Sequence, residues 1–433
     1  MILEKYLSQK GQFLENNVDL SAGTIAWGLK AKKLVKENPD FINATIGTAT
    51  EDDGKLMVLP TLYDELQQLT GDQLLAYANM RGQHAFVQAW NRDTLESYPA
   101  ELRKKTEELS TLPVTACGGL TGGLMLTSQV FFDLGDKLLA PNSRWGNVDN
   151  VFFKNQQLHE VPYKLVDQNG NLSLSDLIDN LQSLEKTEKK IGIYLNFPNN
   201  PSGISPTLDQ VKELQETLET ITVPTVLLLD DAYENYCYED NIVNHSIFPY
   251  LVGLNDNVLA VKIDGASKRY CAYGARLGTM TVGFGLEKDE NEKSEIRELM
   301  VKSARTNSSS APRGIQEALT NVLVDEKKKT NIQKEKARNL SILSRRYKLI
   351  KKLGEETESN ILKPVKFNSG FFGYYLIKNQ QSATEISSKL LEKGLGTVPF
   401  VNISNGLNGI RVAYCSIREE KIEQAIDLLY SQI

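Results

Sequence analysis

The sequence predicts an α/β protein with a large domain built on a mostly parallel sheet between helices, followed by a smaller α+β unit. Three observations carry this. Short apolar runs alternate with helical periods from Val114 to Leu286, the pattern of repeated βαβ units. The apolar runs are continuous rather than alternating, as in Val223–Leu229, so their sheet is covered on both faces. Beyond about residue 325 the chain changes character and becomes strongly basic over one stretch.

Taken in order, Leu120–Phe132 reads as a helix entered through Gly118, Gly119, Gly122 and Gly123, and Lys137–Ala140 as a strand. Ser175 is predicted to cap a helix whose buried face is Leu177, Leu181 and Leu184. Ile191–Leu195 is a strand that runs into Asn196-Phe197-Pro198-Asn199-Asn200-Pro201-Ser202-Gly203. Two prolines and a glycine in so short a space make that segment a loop. Ser205-Pro206 is predicted to open the next helix, with Leu208, Val211, Leu214, Leu218 and Ile221 on one face. Val223–Leu229 is a buried strand ending in Asp230-Asp231, and Asn257–Ile263 and Gly278–Val282 are further strands.

Lys327–Lys352 holds eleven basic residues and one acidic one, Glu335. Leu340, Leu343, Tyr347, Ile350 and Leu353 recur every three or four residues, which predicts one long amphipathic helix with a basic, solvated outer face. Strands near Phe371–Ile377 and Gly409–Tyr414 and a last helix over Glu419–Leu429 complete the smaller unit.

Composition narrows the function. The 433 residues carry 49 Lys plus Arg against 55 Asp plus Glu, a net charge of −6, so the chain lacks the positive field of a general nucleic-acid binder. The three histidines, His84, His159 and His245, form no His-x-x-x-His or Cys/His cluster, and no metal site is expected. They read as surface or hydrogen-bonded residues. Four widely spaced cysteines suit a reducing compartment. Met1-Ile2-Leu3-Glu4-Lys5 shows no apolar signal core, and no segment approaches the ~20 apolar residues that span a bilayer. The expectation is a cytoplasmic protein with no membrane and no nucleic-acid partner.

Candidate chemistry gathers where strands end, the place where ligands bind in such sheets. Asn200, Asp230 and Lys268 each follow a strand. Lys268 stands eight residues before Arg276, in Ser267-Lys268-Arg269-Tyr270-Cys271-Ala272-Tyr273-Gly274-Ala275-Arg276-Leu277-Gly278. Such a lysine could form a Schiff base with an aldehyde cofactor, and such an arginine could hold its phosphate. Gly119-Leu120-Thr121-Gly122 opens a helix, whose free amides suit the same phosphate. A carboxylate at Asp230 or Asp231 could keep a pyridine nitrogen protonated. Asn200 and Tyr233 could donate to a ring oxygen, and Trp145 offers a flat face for stacking.

These motifs, with Asn43-Ala44-Thr45-Ile46-Gly47, Asp53-Gly54-Lys55, Tyr77, Arg81-Gly82, Ser143-Arg144-Trp145-Gly146-Asn147, Arg305-Thr306-Asn307 and Arg411, stand in one order over most of the chain. In that order they resemble the pyridoxal-phosphate aminotransferases of fold type I, in the aspartate and aromatic aminotransferase branch. The resemblance implies a seven-stranded sheet in a large cofactor-binding domain over 59–330, and a small domain made of 1–58 and 331–433. It implies pyridoxal 5′-phosphate as cofactor, amino-acid and 2-oxo-acid substrates, and a homodimer with shared active sites.

Roles then follow by resemblance. Lys268 would hold the cofactor as a Schiff base and carry the substrate's proton. Asp230, rather than Asp231, would pair with the ring nitrogen, because Asp-x-Ala-Tyr is the matching spacing. Asn200 and Tyr233 would hold the ring oxygen and Trp145 would stack on the ring. Thr121, Ser267, Arg276 and the amides from Gly119 to Gly122 would bind phosphate, joined by Tyr77 from the neighbouring subunit. Arg411 would clamp the substrate's α-carboxylate, with Gly47, Trp145 and Asn200 also beside the substrate. Arg305, with Arg313 as its competitor, would reach across the dimer to a distal carboxylate. Phe371 and Phe372 are open between walling an aromatic side chain and simple core.

The sequence departs from the pattern at three places. Gly265 stands where the family has a serine, so one phosphate hydroxyl is absent. Val148 stands where a supporting histidine is common. The run Ser308–Arg313 is about one residue short. The expected activity is transfer of an amino group from an aromatic or dicarboxylic L-amino acid to a 2-oxo acid such as 2-oxoglutarate. A β-decarboxylase or lyase would use the same cofactor residues. A phosphate- or nucleotide-binding protein is the third alternative, although neither Gly-x-Gly-x-x-Gly nor a Walker sequence is present.

Overall fold

The computed structural model describes residues 4–19, 23–402 and 405–431. Met1–Leu3, part of the stretch read for a signal core, lie outside the described residues. In chain order the strands are β1 (Ile42–Asn43), β2 (Val114–Cys117), β3 (Lys137–Pro141), β4 (His159–Tyr163), β5 (Ile191–Leu195), β6 (Thr225–Asp230) and β7 (Val258–Gly265). They continue with β8 (Leu277–Phe284), β9 (Leu362–Pro364), β10 (Gly373–Ile377), β11 (Leu395–Gly396), β12 (Val398–Asn402) and β13 (Leu407–Val412).

Seven strands make the large sheet, in the order β2-β8-β7-β6-β5-β3-β4. Only β8 runs against its neighbours. The fold is the expected α/β architecture. The central strands are buried along their whole length, which is why their sequences are continuously apolar. Side chains alternate across them. Ile193, Leu195, Leu227 and Leu229 join one cluster, which continues into the smaller sheet through Ile410 and Val412. Tyr194, Val226, Leu228 and Val261 face the other way, into a cluster with Val148 and Phe152.

The smaller sheet is antiparallel, in the order β12-β13-β10-β9. Near it β1 pairs with β11 in parallel, so an early strand is tied to the chain's last hundred residues. Among the described residues no helix is long and apolar enough to cross a membrane.

Several elements differ locally from expectation. Ser175 is the first residue of its helix rather than the cap, because its hydroxyl pairs with Ser173 at 2.8 Å. Ser205-Pro206 does not open the next helix. The Ser205 amide is engaged by Asn368 at 2.8 Å, and the helix starts at Leu208 behind a capping box between Thr207 and Gln210. The last helix divides into a 3-10 turn, Glu419–Lys421, and an α-helix, Ile422–Ser431.

The long basic helix is present as Glu326–Glu356, but its basic residues are not all outward. Arg346 is fully buried, donating to Asp52 at 2.7 Å and to the Cys415 carbonyl at 2.8 Å. Lys336 lies 3.7 Å from the Tyr270 ring centre, and burial pushes its pKa down to about 8. His84 and His159 are exposed, as expected. His245 is half-buried and neither ring nitrogen has a partner among the described residues.

Candidate active site

One cavity opens where β3, β5, β6 and β7 end and where the helix Leu120–Phe131 begins. The strand ends contribute Trp145, Asn196, Asn200, Asp230, Tyr233, Ser267 and Lys268 to its lining. The helix start contributes Leu120 and Thr121, and the turn before β8 contributes Tyr273 and Arg276. Gly47 and Thr48 come from the segment after β1, Phe372 from before β10 and Arg411 from β13. Twelve of the residues singled out in the sequence therefore meet in one place: Gly47, Leu120, Thr121, Trp145, Asn200, Asp230, Tyr233, Ser267, Lys268, Arg276, Phe372 and Arg411.

Asp230 and Asp231 part company at the end of β6, because consecutive strand residues point to opposite faces. Asp230 faces the cavity. One carboxylate oxygen accepts from the Tyr194 hydroxyl at 2.7 Å and the other from the Ala232 amide at 3.2 Å. Burial raises its pKa, while the Tyr194 hydrogen bond and the Lys268 charge pull it back. Asp231 faces away, bonded to Lys262 at 2.5 Å and to Ser246 at 2.6 Å.

Lys268 sits in a four-residue helix, Ala266–Arg269. Burial lowers the pKa of its amine, Asp230 raises it and Arg276 lowers it again, with the net direction down. Its Nζ lies 5.3 Å from the centre of the Tyr233 ring. The next residue anchors the turn: Arg269 donates to Asp93 at 2.5 Å and to Asp264 at 3.2 Å.

The Arg276 backbone is left-handed, with φ 54°. Its guanidinium donates to the Gly118 carbonyl and lies where a Cβ on Gly119 would come within 3.3 Å. The Gly119 amide donates to the Arg276 carbonyl at 2.8 Å. Gly119 therefore makes room for the arginine, with its own amide engaged. Gly265 leaves no space for a side chain either, since a Cβ there would sit 2.5 Å from the Leu277 carbonyl oxygen. The serine seen at this position in the family would not fit this strand pair.

Arg411 is buried, with two donors engaged by Asn200 at 2.9 Å and the Thr45 carbonyl at 2.7 Å. Its guanidinium carbon lies 4.3 Å from the centre of the Phe372 ring. Its Nε has no partner among the described residues, and burial pushes its pKa down to about 10. Gly47 passes close to Phe372 and Tyr233, where a Cβ would come 3.1 Å from the former and 3.6 Å from the Tyr233 hydroxyl. Phe372 walls the cavity while Phe371 is core, packed edge-on to Tyr233 at 5.1 Å.

Tyr77 and Arg305 are not brought into this cavity. Tyr77 is 91% exposed, in a groove with Leu75, Ser308–Ser310 and Arg313. Arg305 is exposed and donates to the Ser309 hydroxyl, while Arg313 pairs with Glu317 at 2.9 Å.

Sequence reasoning missed Tyr194, Asn196, Thr24, Thr48 and Tyr273. Asn196 bridges the site, donating to the Asp230 carbonyl at 2.8 Å and accepting from the Asn200 amide at 2.9 Å. An asparagine at a strand's end was a readable signal. A tyrosine inside an apolar strand was not.

The residues present fit pyridoxal phosphate. A buried carboxylate, a lysine of lowered basicity, an arginine beside a helix start and a buried arginine with an unpaired Nε share one cavity.

Comparison with known proteins agrees. The family model for aminotransferase class I and II matches residues 39–429. A cytoplasmic aspartate aminotransferase of Caenorhabditis elegans is 24% identical over 247 residues, 56% of this chain and 58% of that protein, so the chain spans little more than half of that relative's length. An aminotransferase structure from Anaerococcus prevotii superposes with a TM-score of 0.84 at 21% identity, covering 96% of this chain and 97% of that one. A kynurenine aminotransferase of Pyrococcus horikoshii, solved with PMP, gives 0.77 at 18% identity, covering 99% and 97%. With the family model matched along nearly its whole length, the chain belongs to the class I and II aminotransferases.

Proposed function

We propose that this protein is a pyridoxal-phosphate-dependent aminotransferase. It takes the amino group of an aromatic or dicarboxylic L-amino acid and passes it to a 2-oxo acid, 2-oxoglutarate first among them. The observation that carries this is the meeting of Lys268, Asp230, Asn200, Tyr233, Arg276 and Arg411 in one cavity.

When bound, the cofactor supplies an aldehyde that takes up the amino group and a ring that accepts the electrons of the α-carbon bond. Lys268 holds that aldehyde through Nζ and moves the proton on and off the substrate's α-carbon. Its lowered pKa favours the neutral amine that both tasks need. Asp230 holds the ring nitrogen's proton. Asn200 and Tyr233 donate to the ring oxygen, and Trp145 covers the ring. Thr121, Ser267, Arg276 and the amides at Leu120 and Thr121 hold the phosphate. Arg411 takes the substrate's α-carboxylate, with its guanidinium beside the Phe372 ring.

The protein works as a cytoplasmic homodimer in this reading. Leu75 at 81% and Tyr77 at 91% exposure are large apolar groups that a second copy would cover. The partner's Tyr77 would then reach the phosphate and its Arg305 a distal carboxylate.

A screen of amino donors and oxo acceptors tests the activity. Release of a 2-oxo acid, lost in Lys268→Ala together with visible absorbance, is the expected result. Release of carbon dioxide or ammonia without an oxo-acid exchange would make the protein a decarboxylase or lyase instead. Unchanged turnover of glutamate and aspartate in Arg305→Ala would remove the distal-carboxylate role.

A further inference from the structure

Asp230 needs support from behind, because a buried carboxylate is free to rotate or take up a proton unless something holds it. Val148, in the cluster behind it, is apolar and fully buried and offers no hydrogen bond. Tyr194 supplies one. In the register of β5 with β6, Tyr194 lies beside Leu228, and Leu228 and Asp230 are two residues apart on one face. A long side chain at 194 therefore reaches the carboxylate diagonally, and the hydroxyl donates to Asp230 at 2.7 Å.

Tyr194 is itself fixed. It is fully buried, its ring packs at 5.9 Å from Phe152, and its carbonyl accepts from the Tyr163 hydroxyl at 3.2 Å. Burial holds its hydroxyl pKa far above the ordinary value, with the Asp230 charge adding to the effect. The group is a permanent donor. Each Asp230 oxygen takes one bond, from Tyr194 or from Ala232, and keeps a second lone pair for the cavity side.

We propose that Tyr194 is a positioning residue: its hydroxyl holds the Asp230 carboxylate in the orientation that meets the cofactor's ring nitrogen. This rests on the reading of Asp230 as the nitrogen's partner. The test compares binding of pyridoxal phosphate and of its 1-deaza analogue, which has C–H in place of the ring nitrogen, to the apoprotein. The wild type is expected to prefer pyridoxal phosphate, and Tyr194→Phe to shrink that preference by about tenfold with little change in affinity for the analogue. Equal weakening of both, or of neither, overturns the role of Tyr194 while leaving that of Asp230. No preference in the wild type overturns the Asp230 reading and the proposal with it. Should Tyr194→Phe fail to fold, 3-fluorotyrosine placed at 194 keeps the ring and reports by fluorine resonance. Its shift is expected to move further with pyridoxal phosphate than with the analogue, and an equal shift with both overturns the proposal.

Discussion

Asp230 and Asp231 are neighbours in sequence, equally buried and of the same chemistry, yet they belong to different machines. Asp230 looks into a cavity whose polar groups are held but not exhausted. Asp231 looks into a closed network with Glu234, Asp264, Asp93, Lys262, Arg269 and Lys336, four carboxylates against three cations. One face leaves donors and acceptors for a ligand, and the other pairs most of its charges with one another. The network reaches the active site through the chain, since Arg269 follows Lys268 and its bonds to Asp93 and Asp264 pin the turn that carries it. The difference teaches that charge buried beside a site is not thereby part of the chemistry.

The comparison breaks most visibly at Lys262. It is 1% exposed and bonds Asp231 at 2.5 Å and Glu234 at 2.8 Å. Lys262→Met would leave Asp231, Glu234, Asp264 and Asp93 facing two cations, Arg269 and Lys336. The expected cost is about 3–5 kcal/mol of stability, read as a lowered denaturant midpoint. The fraction that remains folded should still bind pyridoxal phosphate. Asp230→Ala should do the reverse, lowering the midpoint less, since it strands only the buried Tyr194 hydroxyl, and lowering turnover by roughly 10²–10³-fold, the effect of removing one preorganised charge. If both variants lose stability alike and keep turnover alike, the division between the two faces is wrong.

A smaller effect sharpens the network side. Burial alone would raise the Asp93 pKa, but Arg269 and Lys336 overcome it and bring the group down to about 2. A carboxylate depressed in the folded state adds stability above its unfolded pKa near 4, and that stability is lost as pH falls from about 4 to about 2. Asp93→Asn should therefore cost about 2 kcal/mol at pH 7. Denaturant midpoints of variant and wild type should converge near pH 2, and curves that stay parallel would contradict the assignment.

What the sequence could show follows from which contacts are local. The strand-end polar residues were legible because a continuous apolar run closing on Asn196–Asn200, Asp230 or Lys268 marks the rim of a parallel sheet without any long-range knowledge. Tyr194 was not, because its partner is set by the register of β5 against β6, and an aromatic in a buried strand reads as core. Nor was the inward turn of Lys336 and Arg346. Helical period locates an apolar stripe, but the carboxylates that draw these two in, Asp93 and Asp52, lie more than two hundred residues away in the chain. Tyr77 and Arg305 could be proposed only by resemblance, and one chain gives them no place in its own cavity.

The smallest effect concerns Gly265, where sequence comparison invites a repair that the packing forbids. Its backbone is extended, so conformation does not demand glycine. Space does: β7 and β8 approach so closely there that a Cβ would lie 2.5 Å from the Leu277 carbonyl oxygen, 3.1 Å from the Gly278 Cα and 3.1 Å from a Leu120 methyl. Two of those three atoms are backbone and cannot swing aside. Gly265→Ser should therefore lose about 1–3 kcal/mol of stability by overpacking and gain no affinity for pyridoxal phosphate, because relief of the clash pushes apart Leu120 and the turn before Gly278 that bring Thr121 and Arg276 to the cavity. A serine variant that kept its stability and held the cofactor more tightly would show that the strand pair yields. The missing hydroxyl would then be a choice of sequence rather than a consequence of packing.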